Sequence, residues 1–188
     1  MFPPLTLKTV RWRPLEGEGL EHLTVRAVEG GIRAESAVIG DRGDGRLYGV
    51  HYRIDLDAGW RVRSFRVEET DGSGVAMTSD GEGRWRSESG EPLAAFDGCI
   101  DIDLAGTPFT NTLPIRRLGL APEAGTVRLK MVYVPFDTFS PFPDGQNYTC
   151  LDRARRYLYQ ADDRTFQAEL PVDADGFVTD YPTLFARL

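Results

Sequence analysis

The chain has 188 residues, of which 41% are hydrophobic and 27% charged, the balance of a globular protein rather than a disordered segment. Its 22 Lys and Arg against 29 Asp and Glu give a formal charge of −7, which weighs against nucleic acid and anionic membrane surfaces as partners. No run reaches the ~18 apolar residues of a membrane span. Met1-Phe2-Pro3-Pro4 lacks the basic and apolar regions of a secretion signal, so the expected location is the cytoplasm, with no integral membrane segment.

Residues 5–12, LTLKTVRW, read as an opening strand that Arg13-Pro14 ends, and 15–21 reads as a turn. Leu23, Val25 and Ala27 share one face of the next strand, and Ile32, Ala34, Ser36 and Val38 one face of the strand after it. Glu29-Gly30-Gly31 between them predicts a hairpin. Asp41 to Gly45, DRGDG, is a second turn. From Leu47 to Leu56 the alternation is clean, with Tyr48, Val50, Tyr52, Ile54 and Leu56 on one face and His51 on the other. Between Trp60 and Glu69 the apolar face switches from Trp60 and Val62 to Phe65 and Val67, which predicts a bulge near Ser64. Short strands at 75–78 and 84–86 extend an antiparallel meander over 46–88.

The next stretch, DIDLAGTPFTNTLPIRRL over 101–118, carries the most residue types that need a specific reason for their placement. Ile100, Ile102 and Leu104 alternate with Asp101 and Asp103 as in a strand. Pro108 breaks it, and a second extended run is expected from Phe109 to Leu113 before Pro114. Its polar groups fit either a bulged sheet edge that satisfies freed backbone groups or a constellation at the mouth of a cavity. Val127, Leu129, Met131 and Tyr133 alternate through a further strand. Residues 136–146 read as a loop whose Phe136, Phe139 and Phe142 fold over something apolar. Tyr157 and Tyr159 mark another strand, as do Phe166, Ala168 and Leu170. The apolar tail FVTDYPTLFARL predicts a C-terminus docked on the core.

No helix of three turns is expected. The 20 Gly and 12 Pro fall mostly between the strand-like runs, so the fold class is all-β, with more than ten short antiparallel strands in a barrel, sandwich or roll, as one domain over 1–188. Cys99 and Cys150 are too few for a disulfide framework. His22 and His51 are the only histidines and are not spaced as zinc ligands, and no nucleophile elbow or phosphate loop is present. Asp173-Ala-Asp-Gly176 lacks the later ligands of a calcium loop. Neither metal nor cofactor is expected. Asp101 and Asp103 project from one strand face, so carboxylate chemistry on a sugar or a small acidic metabolite stays open as an alternative, as does an interaction domain offering a sheet edge.

Residues 101–118, together with VDADGFVTDYPTLFAR at 172–187, resemble the bacterial glycolipid-binding family, long carried as a domain of unknown function. The family's motif residues fall on Asp103, Thr107, Pro108, Thr110, Asn111, Pro114, Arg116 and Arg117, then on Asp180, Tyr181, Pro182 and Phe185. The resemblance implies a spiral β-roll similar to lipid-carrying proteins and a non-catalytic role in binding a glycolipid or other amphiphile. A curled sheet, apolar inside, would enclose acyl chains, lined or lidded by aromatics such as Trp60, Tyr133, Phe136, Phe139 and Phe142, beneath a polar rim. The expected ligand-binding residues are Asp103, Thr107, Thr110, Asn111, Arg116, Arg117, Tyr133 and Tyr181. An ion pair of Asp103 with Arg116 or Arg117 is a further expectation.

Overall fold

The alternation of the first half of the chain builds one continuous sheet. The computed structural model describes residues 2–41 and 46–188, so the expected turn at 42–45 lies outside the described residues. Strands β1 (Leu7–Pro14), β2 (Gly19–Val28), β3 (Gly31–Asp41), β4 (Leu47–Asp57), β5 (Val62–Glu69), β6 (Gly74–Ser79) and β7 (Trp85–Ser87) each run antiparallel to the next. β2 and β3 are joined through the two residues Glu29-Gly30, where Gly30 takes φ 78°, a conformation glycine adopts without steric cost. The residue 15–21 turn is shorter than expected, because β2 already begins at Gly19. The bulge sits where the face switch placed it. Asp55 pairs with Ser64 and Leu56 with Val62, so the extra Arg63 brings Val62, Phe65 and Val67 into the core together.

A second sheet comprises β8 (Asp101–Leu104), β9 (Thr126–Val134), β10 (Phe142–Asp152), β11 (Arg156–Ala161) and β12 (Gln167–Pro171), in the order β12-β11-β10-β9-β8. β10 begins inside the segment expected as loop. Pro143 is tolerated there because that end of β10 pairs only with β9, β11 joining from Gln146 onward. The chain then returns through β13 (Asp180–Tyr181) and β14 (Phe185–Arg187). β14 pairs with β1 and makes the first sheet nine-stranded, in the order β13-β14-β1-β2-β3-β4-β5-β6-β7. The fold is therefore all-β, with mostly antiparallel strands curled into a half-open barrel and almost no helix.

One pairing departs from the antiparallel rule. β8 runs parallel to β9, and between them the chain crosses over through a 3-10 turn (Pro108–Asn111) and helix α1 (Thr112–Leu118). The extended run expected at Phe109–Leu113 is therefore helical. Thr107 stays extended and its Oγ1 accepts from the Phe109 backbone N–H at 3.0 Å, capping the turn, while Pro108 occupies the first helical position, where its missing N–H is not needed. Pro114 falls in the first turn of α1 for the same reason. Gly119 closes α1 in the left-handed region and donates its N–H to the Ile115 carbonyl.

Buried side chains form two apolar clusters. One joins the first sheet to Ile102, Leu104, Val132, Val134 and the crossover residues Phe109 and Leu113. The other lies on the opposite face of the second sheet, under Ile115, Val178 and Tyr181. The C-terminal tail docks as its composition implied. Trp12 Nε1 donates to the Val178 carbonyl at 3.0 Å, and Leu188 N to the Arg11 carbonyl at 3.0 Å. Cys99 and Cys150 are buried free thiols.

Candidate functional site

A cleft of about 700 Å³ opens between the two sheets. One wall is β1–β3, through Trp12, Glu21, Val38 and Ile39. The facing wall is the end of β9, the following loop and the start of β10, through Tyr133, Phe136, Asp137 and Phe142. Thr183, Leu184 and Phe185 of the docked tail close a side. The Phe136 ring lies against Gly106, where a Cβ would come within 2.4 Å of it, so glycine lets this wall approach the crossover. The inner surface is buried at Trp12, Glu21, Val38 and Phe136, whereas Ile39, Phe142 and Leu184 are 58%, 48% and 40% exposed at the mouth.

Glu21 is the unusual residue of this lining. It stands on the inward face of β2 in line with Leu23 and Val25, a position otherwise taken by core hydrophobes, and is 3% exposed. Its Oε1 accepts from Tyr52 Oη at 2.5 Å, and the Ser36 hydroxyl donates to it at 2.9 Å. Oε2 is buried with no hydrogen-bond partner. Burial pushes the carboxyl up to about 7, against the pull of the Thr107, Tyr52 and Ser36 hydroxyls. Burial and the adjoining carboxylate likewise drive the Tyr52 phenol well above its ordinary range.

Of the residues expected to bind ligand, Tyr133 lines the cleft and Thr107 stands behind it, 3.5 Å from Tyr52 Oη. Asp103, Thr110, Asn111 and Tyr181 come together in a second polar cluster. Asp103 accepts from Thr110 Oγ1 at 2.9 Å and from Gln146 Nε2 at 2.6 Å. Tyr148 Oη donates to Asn111 Oδ1 at 2.9 Å, and the Tyr181 phenol hydrogen-bonds Asn111 as well. Burial raises the Asp103 carboxyl above its ordinary value, because the neutral donors Gln146 and Thr110 compensate it incompletely.

Arg116 and Arg117 are engaged elsewhere. Arg117 makes a two-pronged ion pair with the buried Asp101, so the expected pairing with Asp103 is replaced by one with its neighbour two residues back. Arg116 donates to the Asp175 and Pro3 carbonyls and lies over the Trp60 ring, 4.2 Å from its centroid. Both clamp segments distant in sequence. Among the aromatics expected to line a cavity, Tyr133, Phe136 and Phe142 do so, Trp60 lies under Arg116, and Phe139 packs on Phe136 with centroids 6.1 Å apart.

Sequence reasoning misses Glu21 because 15–21 reads as a turn. The signal was present, since the two-residue period of Leu23 and Val25 extended backwards lands on Glu21. Among the described residues no group of three or more His, Cys, Asp or Glu is arranged to hold a metal ion, and no helix is long and apolar enough to cross a membrane.

Residues 9–187 match the family model described as "Putative glycolipid-binding". The chain is also similar to a DUF1089 family protein from Pseudomonas aeruginosa, known from a crystal structure. The two are 40% identical and superpose with a TM-score of 0.81, over 92% of this chain and 94% of that one. No curated protein matches. The family match spans nearly the whole chain and carries both motif stretches singled out above, and the chain belongs to this bacterial glycolipid-binding family.

Proposed function

We propose that this protein binds an amphiphile, a glycolipid or a molecule of similar build, in the cleft between its two sheets and does so without catalysing a reaction. The observation that carries this reading is the cleft itself. Its volume of about 700 Å³ lies within the range of small-molecule sites. Its inner wall offers Trp12, Val38 and Phe136, so each methylene of an acyl chain taken from water gains roughly 0.8 kcal/mol. The description of the family supports the same reading. The two carboxylates once considered for acid–base work are each tied down, Asp101 by Arg117 and Asp103 by Gln146 and Thr110.

Native mass spectrometry of gently purified protein, with titration of a fluorescent fatty-acyl probe, tests the proposal. A lipid-sized adduct, or saturable uptake of the probe that Val38→Trp blocks by filling the inner cleft, is the expected result. Neither adduct nor uptake would overturn it.

A further inference from the structure

We infer that the mouth of the cleft selects its amphiphile by charge, admitting an uncharged headgroup and turning away an anionic one, with Glu16 and Asp137 as the residues that set this preference. This rests on the amphiphile reading above and adds to it the chemical class of the headgroup. Trp12, Val38 and Phe136 make the buried lining apolar, and Glu21, the one carboxyl there, is closed off on its bonds from Ser36 and Tyr52. The interior therefore suits the acyl chain, and the headgroup stays at the mouth. Glu16 and Asp137 stand there, both exposed, on facing walls. Glu16 follows β1 in the turn into β2, and Asp137 belongs to the loop after β9.

Among the described residues neither Glu16 nor Asp137 has a hydrogen-bond or ion-pair partner on its carboxylate. The lining holds two further acidic residues, Glu21 and Asp41, and no Lys or Arg among those described. A negative headgroup at the mouth therefore meets like charge from both walls, with no compensating cation in the described lining. A phosphate, a sulfate or an ionised carboxyl also has no proton to give a carboxylate, which only accepts, whereas the hydroxyls of an uncharged sugar or glycerol donate to it. The Asp137 charge already acts on a neighbour in the cleft wall. Burial first, and then the charges of Asp103, Asp137 and Asp144, raise the Tyr133 phenol above its ordinary value. The selection needs no direct contact, since a charge acts across several ångströms of water until salt screens it.

The test is displacement of a fluorescent monoacylglycerol by two competitors of equal chain length, monododecanoylglycerol and dodecyl phosphate, each kept below its micelle concentration. Two carboxylates at about 8 Å from a phosphate that carries more than one charge cost about tenfold in affinity in unscreened water. At about 20 mM salt the glycerol ester should therefore displace the probe at about tenfold lower concentration than the phosphate, and the gap should narrow severalfold at about 0.5 M salt. Glu16→Gln combined with Asp137→Asn keeps the hydrogen-bond acceptors and removes both charges. It should close most of the low-salt gap and leave the affinity for the glycerol ester within about twofold of wild type. Glu91→Gln combined with Glu123→Gln removes two carboxylates outside the cleft lining and should leave the gap as it is. Dodecyl phosphate competing as well as the glycerol ester in wild type overturns the inference while amphiphile binding stands. So does a gap that the first variant leaves intact, or that the remote variant narrows as much. Failure of the fluorescent monoacylglycerol to bind at all overturns the amphiphile reading together with it.

Discussion

Replacing Glu21 by Gln should remove a pH dependence of stability that the wild-type fold carries. In the fold the carboxyl titrates at about 7, and its ordinary value is 4.5. Between those two pH values the folded protein keeps a proton that the unfolded chain has already released. Stability therefore falls as pH rises through this window, the reverse of what a salt-bridged carboxylate gives. At about 1.36 kcal/mol for each pH unit separating the two values, the loss by pH 8 is about 3 kcal/mol. Gln preserves the acceptor for Tyr52 and Ser36 and cannot ionise. The quantity to measure is the change with pH of the difference between variant and wild type, from urea denaturation at pH 4.5 and pH 8. Taking that difference cancels every other titrating group, including Asp103, as well as any constant cost of the amide. The variant should gain about 3 kcal/mol on wild type across the interval. Parallel pH profiles would refute the reasoning, because Glu21 would then be as well solvated in the fold as in the unfolded chain.

The buried pair Asp101–Arg117 predicts an asymmetry. Arg117→Ala leaves an uncompensated carboxylate and should cost about 3–5 kcal/mol in urea denaturation, whereas the double variant Asp101→Leu with Arg117→Met should cost much less. Arg116→Ala frees the Asp175 and Pro3 carbonyls and uncovers Trp60, so the thermal midpoint should fall while affinity for an acyl probe stays unchanged. A loss of affinity at unchanged stability would instead give Arg116 a binding role. Deleting residues 177–188 removes the strand partner of β1 and the Trp12 hydrogen bond to Val178, and should abolish cooperative thermal unfolding. An unchanged melting temperature would show that the tail is ornamental.

Strands with one buried face were legible because each gives a two-residue period, and even the bulge at Arg63 showed as a change of phase. What could not be read was the partner and direction of a strand. β8 alternates like its antiparallel neighbours, yet the chain crosses over before β9 and makes them parallel. Thr107-Pro108 reads equally as the interruption of a strand and as a helix start, and with every residue from Thr107 to Ile115 buried there is no one-sided apolar pattern to tell the two apart. The site was half legible. The motif stretch showed its unusual polarity, but a carboxylate at a core position of β2 is visible only once the strand's start is known.

The two polar clusters share one segment and differ in completeness. Residues 103–111 present Asp103, Thr110 and Asn111 to one side, where Thr110 and Gln146 donate to Asp103 and Tyr148 and Tyr181 bond Asn111. The same segment presents Thr107 to the other side, toward Glu21 and Tyr52. A buried network with its bonds made fixes the register of the crossover against the second sheet. The polar groups of the long family motif therefore tie the crossover to both sheets, to the second through Gln146 and Tyr148 and to the first through Thr107 beside Tyr52.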